Sequence, residues 1–134
     1  AFTGLLANQG TFNLSSVTGS TTPARATFGG LVTNSGTLNG DGVLLFSGGL
    51  VNSGTLDLAG NAATTDRVTI GGVGLSGSGD LKFDIDLSTE NGSTDQITMA
   101  TGAFITGEVS LSFNVLGDGI VGQATELVLI AVAD

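Results

Sequence analysis

The chain contains no cysteine, histidine, tryptophan or tyrosine, and one proline among its 134 residues. Without histidine and cysteine, imidazole acid–base catalysis, cysteine nucleophiles and the common zinc sites are excluded. Without tryptophan and tyrosine, the rings that usually stack against sugars are missing. The lack of cysteine fits a cytosolic protein, and it equally fits a secreted protein that crosses a narrow pore unfolded and has to avoid disulfides.

Basic residues are also scarce, with three Lys and Arg against twelve Asp and Glu, a net charge of −9. The imbalance is uneven. Asp41, Asp57 and Arg25 give residues 1–60 a net charge of −1, whereas residues 61–134 carry ten acids and two cations, a net of −8. We therefore place a boundary near Gly60–Asn61. A surface this acidic disfavours nucleic acid and anionic lipid as partners.

A short phrase occurs three times in the first half, at Asn8–Leu14, Asn34–Asn39 and Asn52–Leu58. Each copy has Asn, then Gly two residues later, then Thr and alternating apolar and polar residues. A turn followed by an alternating strand, repeated every 20 or so residues, is typical of a solenoid in which each copy is one rung. Because the phrase is strand-like, it predicts a β-solenoid.

The asparagines of this phrase have two interpretations. As turn residues, Asn tolerates the left-handed region and Gly adopts positive φ. If rungs stack, Asn8, Asn34 and Asn52 lie above one another and form an amide ladder. The alternative is a row of contacts to a glycan or another ligand. We favour turn chemistry, because the same residues set turns in many unrelated proteins.

A second repeat follows in the acidic half. Thr65–Ile70 matches Thr94–Met99, and Gly79–Leu87 matches Gly107–Val115. The second pair has apolar residues on one face over eight or nine residues, which indicates amphipathic strands. The unit has lengthened to about 28 residues, so we expect larger rungs with longer strands.

These patterns predict an all-β fold, a right-handed parallel β-helix of about six rungs and about 30 Å in length. Residues 1–60 are expected to form short rungs, with Ser15–Thr27 leaving as a loop. An antiparallel sandwich is the alternative, and it would require two-residue hairpins. The predicted core consists of Phe12, Leu14, Leu38, Leu56, Leu58, Val68, Ile70, Leu81, Phe83, Ile85, Ile97, Met99, Leu111 and Phe113.

Candidate chemistry is sparse. Asp80, Asp84 and Asp86 are predicted on the outward face of one strand, and a pair of carboxylates is the minimum that glycoside hydrolysis needs. Lys82 interleaves with them, so we interpret them as a solvated acidic face. We predict no catalytic residue.

Cofactor and metal sites are also predicted to be absent. The Asp84–Gly92 segment lacks the glycine that an EF-hand loop needs at its sixth position. The Gly71–Ser76 segment resembles the start of a calcium-binding repeat, but has Ser where Asp belongs. Gly71–Gly79 lacks the lysine and the helix of a phosphate-binding loop.

The segment from Val51 to Asp134 resembles the C-terminal end of a pertactin-like autotransporter passenger of type V secretion. The match to Asn52–Leu58 is followed, in the family's order, by Thr64–Ile70, Gly77–Leu87, Ser93–Met99, Gly107–Val115, Gly117–Ile120 and Glu126–Ile130. Residues 1–50 match only through the generic rung phrase. The pattern starts and stops in mid-repeat, so we expect a piece of a longer protein.

The resemblance implies a right-handed parallel β-helix at the bacterial cell surface, outside the outer membrane. It also implies that residues 61–134 act as an autochaperone, which helps the passenger fold as it emerges. The expected function is that of a non-enzymatic adhesin stalk. Expected partners are host-surface or matrix molecules, other cells through self-association, and the outer-membrane barrel of the same polypeptide. A carbohydrate-active β-helix and a phage-tailspike-like piece are the alternatives.

The last apolar run, Leu127–Val132, has apolar residues on both faces. A strand of this kind has to be covered on both faces, so we expect an adjoining strand or loop to cap the solenoid there. Residues 61–134 are then expected to fold alone, whereas residues 1–60 are not. Alanine at Phe83 or Phe113 is expected to cost about 3–5 kcal/mol each.

Overall fold

A computed structural model describes residues 1–15, 22–60, 65–88, 93–117 and 128–133, which form sixteen β-strands and no helix. The strands are β1 (Leu6–Asn8), β2 (Thr11–Leu14), β3 (Arg25–Phe28), β4 (Val32–Asn34), β5 (Thr37–Gly40), β6 (Val43–Phe46), β7 (Leu50–Asn52), β8 (Thr55–Asp57), β9 (Arg67–Ile70), β10 (Leu75–Ser76), β11 (Asp80–Asp86), β12 (Ser93–Thr94), β13 (Gln96–Met99), β14 (Ile105–Thr106), β15 (Ser110–Leu116) and β16 (Ile130–Val132).

The strands form three sheets, and the chain visits them in a fixed order. Sheet 1 has the order β1-β4-β7-β10-β14. Sheet 2 runs from β2 through β5 and β8 to β11, which also pairs with β15 and with β12. Sheet 3 has the order β3-β6-β9-β13-β16. Each pass through sheets 1, 2 and 3 is one unit, and the described residues contain five units, one fewer than the predicted six.

Neighbouring units pair in parallel at every shared strand. This register excludes the antiparallel sandwich. The one antiparallel pair among the described strands joins β12 to the end of β11, where Ile85 lies opposite Thr94. The predicted lengthening is confirmed in sheet 2 alone, where β11 and β15 pair over seven residues and the corresponding strands of the earlier units span three or four. In sheet 1, β10 and β14 have two residues each, fewer than the three of the earlier strands.

The core lies between the three sheets and follows the alternation of the strands. In β5, β6 and β9 every second residue is buried. The ring of Phe28 stacks on Phe2 at 5.2 Å and on Phe46 at 5.1 Å between centroids, which forms an aromatic column from Phe2, ahead of β1, through the first unit to the second. Of the predicted core, nine residues are buried: Leu38, Leu56, Leu58, Val68, Ile70, Leu81, Phe83, Ile97 and Met99.

The remaining core predictions need correction. Phe12, Leu14 and Ile85 are only partly buried. Leu111 and Phe113 are 44% and 49% exposed, although they stand in register with Leu81 and Phe83. The reason is their position in the stack, because β15 belongs to the last unit and no described strand pairs with its far side.

The predicted loop was wrong in part. Arg25–Thr27 was assigned to a loop and instead belongs to β3, where the next unit supplies a pairing partner in β6. Residues 16–21 lie outside the described residues. Of the terminal apolar run, β16 pairs only with β13 among the described strands, and Val132 is 68% exposed. Residues 118–127 lie outside the described ranges, so the cap stays a prediction.

Candidate functional site

The three repeated asparagines form the predicted ladder. The Nδ2 group of Asn8 donates to Oδ1 of Asn34 at 2.8 Å, and Nδ2 of Asn34 donates to Oδ1 of Asn52 at 2.7 Å. Each amide also bonds to the main chain of the next unit, as Asn34 does to the Thr55 carbonyl at 3.0 Å. Asn34 and Asn52 are each 2% exposed. The ladder ends at Asn52, because Gly77 stands at its position in the next unit.

This geometry favours a structural role for the asparagines over ligand contact. Their amides face one another and main-chain carbonyls, and burial leaves them little surface to offer. The ladder holds the turns between sheets 1 and 2 in register across three units.

Replacing Asn34 with leucine is expected to lower the free energy of unfolding by about 1–3 kcal/mol, because partner groups in the units on both sides lose their hydrogen bonds. The matched control is Asn39→Ala. Asn39 also bonds to an asparagine one unit away, Asn13 at 2.6 Å, but on the exposed side of sheet 2. We expect the control to cost less than about 0.5 kcal/mol. Urea unfolding followed by circular dichroism measures both free energies. Equal losses would contradict the view that the asparagine ladder stabilises the fold because it is buried.

The glycine of each phrase has a role that the sequence did not reveal. It was expected to adopt positive φ, but Gly10, Gly36 and Gly54 are not among the glycines with positive φ. A Cβ on Gly36 would overlap the carbonyl oxygen of Gly10, and a Cβ on Gly54 would overlap that of Gly36. Glycine is required here because consecutive units approach closely through their backbones.

A second ladder, built from aspartates, lies where the chain enters sheet 3. Gly42, Asp66 and Asp95 immediately precede β6, β9 and the strand β13, and they share one register position. Oδ1 of Asp66 accepts the Gly42 N–H at 2.6 Å, and Oδ1 of Asp95 accepts the Asp66 N–H at 3.1 Å. Each carboxylate thus bonds the backbone of the preceding unit. These two aspartates are the second residues of the repeated segments Thr65–Ile70 and Thr94–Met99.

The aspartates predicted on the outward face of β11 are not equivalent. Asp84 is fully buried, which corrects the expected solvated face. The hairpin to β12 brings Asp95 against it, so that the Asp84 N–H donates to Oδ2 of Asp95 at 2.8 Å. Asp80 accepts the Ser112 hydroxyl at 2.9 Å, and Lys82 lies 3.7 Å from Asp57.

Asp86 bonds locally. It accepts the hydroxyl and the N–H of Ser88, and these bonds lower the pKa of Asp86 below its ordinary value. Its role is that of a turn residue at the end of β11. The carboxylates of β11 therefore engage three separate sets of partners.

The segments that resemble metal or phosphate loops, Gly71–Gly79 and Asp84–Gly92, were predicted to hold neither ligand. In the part of the chain that the structure describes, no group of three or more Asp, Glu, His or Cys side chains could hold a metal ion. Residues 89–92 of the Asp84–Gly92 segment lie outside the described ranges. Gly72 and Gly74 adopt positive φ of 55° and 85°, which makes the Gly71–Ser76 segment a tight corner.

One groove of about 360 Å³ lies on the outside of sheet 2. Its lining includes the amides of Asn13 and Asn39 and the carboxylates of Asp41 and Asp57. Amides and carboxylates on an open surface can hydrogen-bond to hydroxyl-rich ligands. The sequence signal for this groove is the polar residue that follows each Thr-Leu or Thr-Phe pair in the phrase.

Comparisons with known proteins return no match. No family model matches the chain, and neither the curated proteins nor the solved structures contain a significant match. Among the described residues, no helix is long and apolar enough to cross a membrane.

Proposed function

We propose that the chain is part of a right-handed parallel β-helix, secreted by a bacterial autotransporter and displayed at the cell surface as a non-enzymatic stalk. The observation that carries this proposal is the fixed order in which five successive units add one strand to each of three parallel sheets. Crossover connections between parallel strands are right-handed in nearly all proteins, which supports the handedness. The resemblance of Val51–Asp134 to autotransporter passengers supports the secretion route.

The same architecture supports a stalk. Its units interact only with their neighbours, so length is gained by repetition and the outer surface is free to contact a partner. That surface carries amides, hydroxyls and carboxylates, as in the groove on sheet 2. We propose host-surface or matrix molecules, or the same protein on another cell, as partners.

A role for residues 61–134 as folding seed is part of the proposal. The pairing of β11 with β15 covers seven consecutive residue pairs, the longest register in the described chain. A long register makes these two units the most stable pair, and in a solenoid further units can fold onto such a pair. Independent folding of residues 61–134 stays a prediction.

The proposal is tested by placing the chain between a signal peptide and an autotransporter barrel in a Gram-negative host. We expect an externally added protease to leave the chain as a resistant fragment on intact cells. Phe83→Ala should reduce this fragment more than Phe12→Ala, because Phe83 is fully buried in the region that seeds folding, whereas Phe12 is partly buried.

Three results would contradict the proposal. A chain that reaches the surface but is fully degraded would not be a folded stalk. Equal losses from the two phenylalanine variants would contradict the folding seed. Release of reducing sugars from any of a panel of polysaccharides would contradict the non-enzymatic role and favour a carbohydrate-active β-helix.

A further inference from the structure

Asp95 lies at the centre of a buried cluster that joins two units. One of its carboxylate oxygens accepts the N–H of Asp66 in the third unit, and the other accepts the N–H of Asp84 in its own unit. Its own N–H donates to the Asp84 carbonyl at 3.1 Å. Asp95 and Asp84 are both 0% exposed, and Asp66 is 1% exposed. The carboxylates of Asp95 and Asp84 therefore lie out of contact with water at the junction between the third and fourth units, whereas the buried Asp66 carboxylate bonds the second unit.

The cluster is not neutralised by its polar partners. Oδ1 of Asp84 accepts the side-chain amide of Asn114 at 2.6 Å, but Oδ2 of Asp84 is buried with no hydrogen-bond partner among the described residues. Among the described residues, the charges that act on Asp95 are those of Asp84 from β11 and Arg67 from the start of β9. Asp66, just before β9, faces Asp95 with its N–H, and its carboxylate accepts the Gly42 N–H. Nη1 of Arg67 donates to the carbonyl oxygens of Asp66 and Thr94, at 2.8 and 3.3 Å. One guanidinium thus stands against the two carboxyl groups of Asp95 and Asp84.

We propose that this cluster binds one proton on mild acidification, and that the bound proton strengthens the packing of the fourth unit on the third. A buried carboxylate without a partner is costly in its charged form, and protonation removes a charge from the junction. Because Asp95 bonds to both units, the contact between the third and fourth units is the part of the fold that protonation stabilises. The inference concerns the fold alone and does not depend on the proposed route of secretion.

The pKa of Asp95 agrees with this assignment. Burial raises it from the ordinary 3.8 to about 6, and the charge of Asp84 raises it as well. The two N–H bonds and the charge of Arg67 act in the opposite direction and are outweighed.

The sign of the pH effect on stability follows from the difference between the pKa of Asp95 in the folded chain and its ordinary value. Between pH 4 and 6 the folded chain binds a proton that the unfolded chain does not bind, so stability falls as pH rises through this window. Above about pH 6 the stability that the bound proton contributes is lost completely. Asp86, with its lowered pKa, works in the opposite sense, but only below its ordinary value of 3.8. The fold is therefore expected to be more stable at pH 5 than at pH 7.5, which is opposite to ordinary acid denaturation.

The test is urea unfolding of the whole chain at pH 7.5 and pH 5.0, combined with carboxyl ¹³C NMR titration of labelled aspartates. We expect the folding equilibrium constant to be about tenfold larger at pH 5.0 than at pH 7.5. Asp84→Asn should lower the pKa of Asp95, reduce this pH dependence and stabilise the chain at pH 7.5. Glu108→Gln is the control, because it removes one negative charge at an exposed position of the last unit. It should retain the pH dependence of the unaltered chain.

Two outcomes would overturn the proposal. If every aspartate carboxyl titrates below about pH 4.5, the cluster binds no proton in the relevant range. If Glu108→Gln reduces the pH dependence as much as Asp84→Asn does, the effect comes from overall charge repulsion and not from the cluster. The NMR titration uses the unaltered chain, so it decides the matter even where Asp84→Asn fails to fold.

Discussion

Replacing Phe83 with alanine is expected to lower the free energy of unfolding by about 3–5 kcal/mol. The Phe83 side chain is fully buried, with Leu81 on the same strand and neighbouring units on both sides of β11. Removing the ring leaves a cavity that flanking strands cannot fill, since their hydrogen-bond register holds them in place. Urea unfolding monitored by circular dichroism gives the magnitude.

Phe113 is the matched control, because it occupies the same register position one unit further along. The two rings lie 6.3 Å apart between centroids, yet Phe113 is 49% exposed. We expect Phe113→Ala to cost about 1–2 kcal/mol, well below the loss at Phe83. Equal losses would show that another part of the protein covers the Phe113 ring, and would contradict the explanation by its position in the last described unit.

Replacing Gly54 with alanine is expected to destabilise the chain by at least about 3 kcal/mol. The added methyl group would overlap the carbonyl oxygen of Gly36, which accepts the Thr55 N–H at 2.9 Å. Neither group can move without breaking a hydrogen bond between the second and third units. The expected result is a large fall in the midpoint of thermal unfolding, or a chain that does not fold.

Gly10→Ala provides the comparison at the same position of the phrase. Nothing lies within 4 Å of a Cβ built on Gly10, because no described unit precedes the first one. We expect a change of less than about 0.5 kcal/mol. Loss of folding in Gly10→Ala would mean that this glycine is needed for its backbone conformation, as the turn interpretation supposed, and not for close approach.

Much of the architecture was predictable, because the repeats carry their own register. The phrase around Asn8, Asn34 and Asn52 predicted both the stacked strands and the amide ladder. The pairing of Thr65–Ile70 with Thr94–Met99 is the register observed between β9 and β13. Such positions are predictable because parallel stacking places equal phrases above one another, so that similarity in sequence becomes contact in space.

The buried polar groups were less predictable. Alternation along β11 placed Asp84 outward beside Lys82, and alternation is a property of one strand alone. The burial of Asp84 arises from the hairpin to β12, which pairs antiparallel with the end of β11 and brings Asp95 against it. No feature of the local pattern signals that hairpin.

The sequence by itself determined the all-β class, the repeating unit, the asparagine ladder and nine of the seventeen buried apolar residues in the described ranges, because each depends on a local alternation or on a repeated phrase. The tertiary structure decided which of two equivalent positions is buried. Phe83 and Phe113 have the same local pattern, and so do Gly54 and Gly10. Their environments differ because, among the described units, Phe83 and Gly54 have a neighbouring unit on each side, whereas Phe113 and Gly10 have one on a single side. In a stack of repeats, burial depends on the number of neighbouring units, which the phrase alone does not encode.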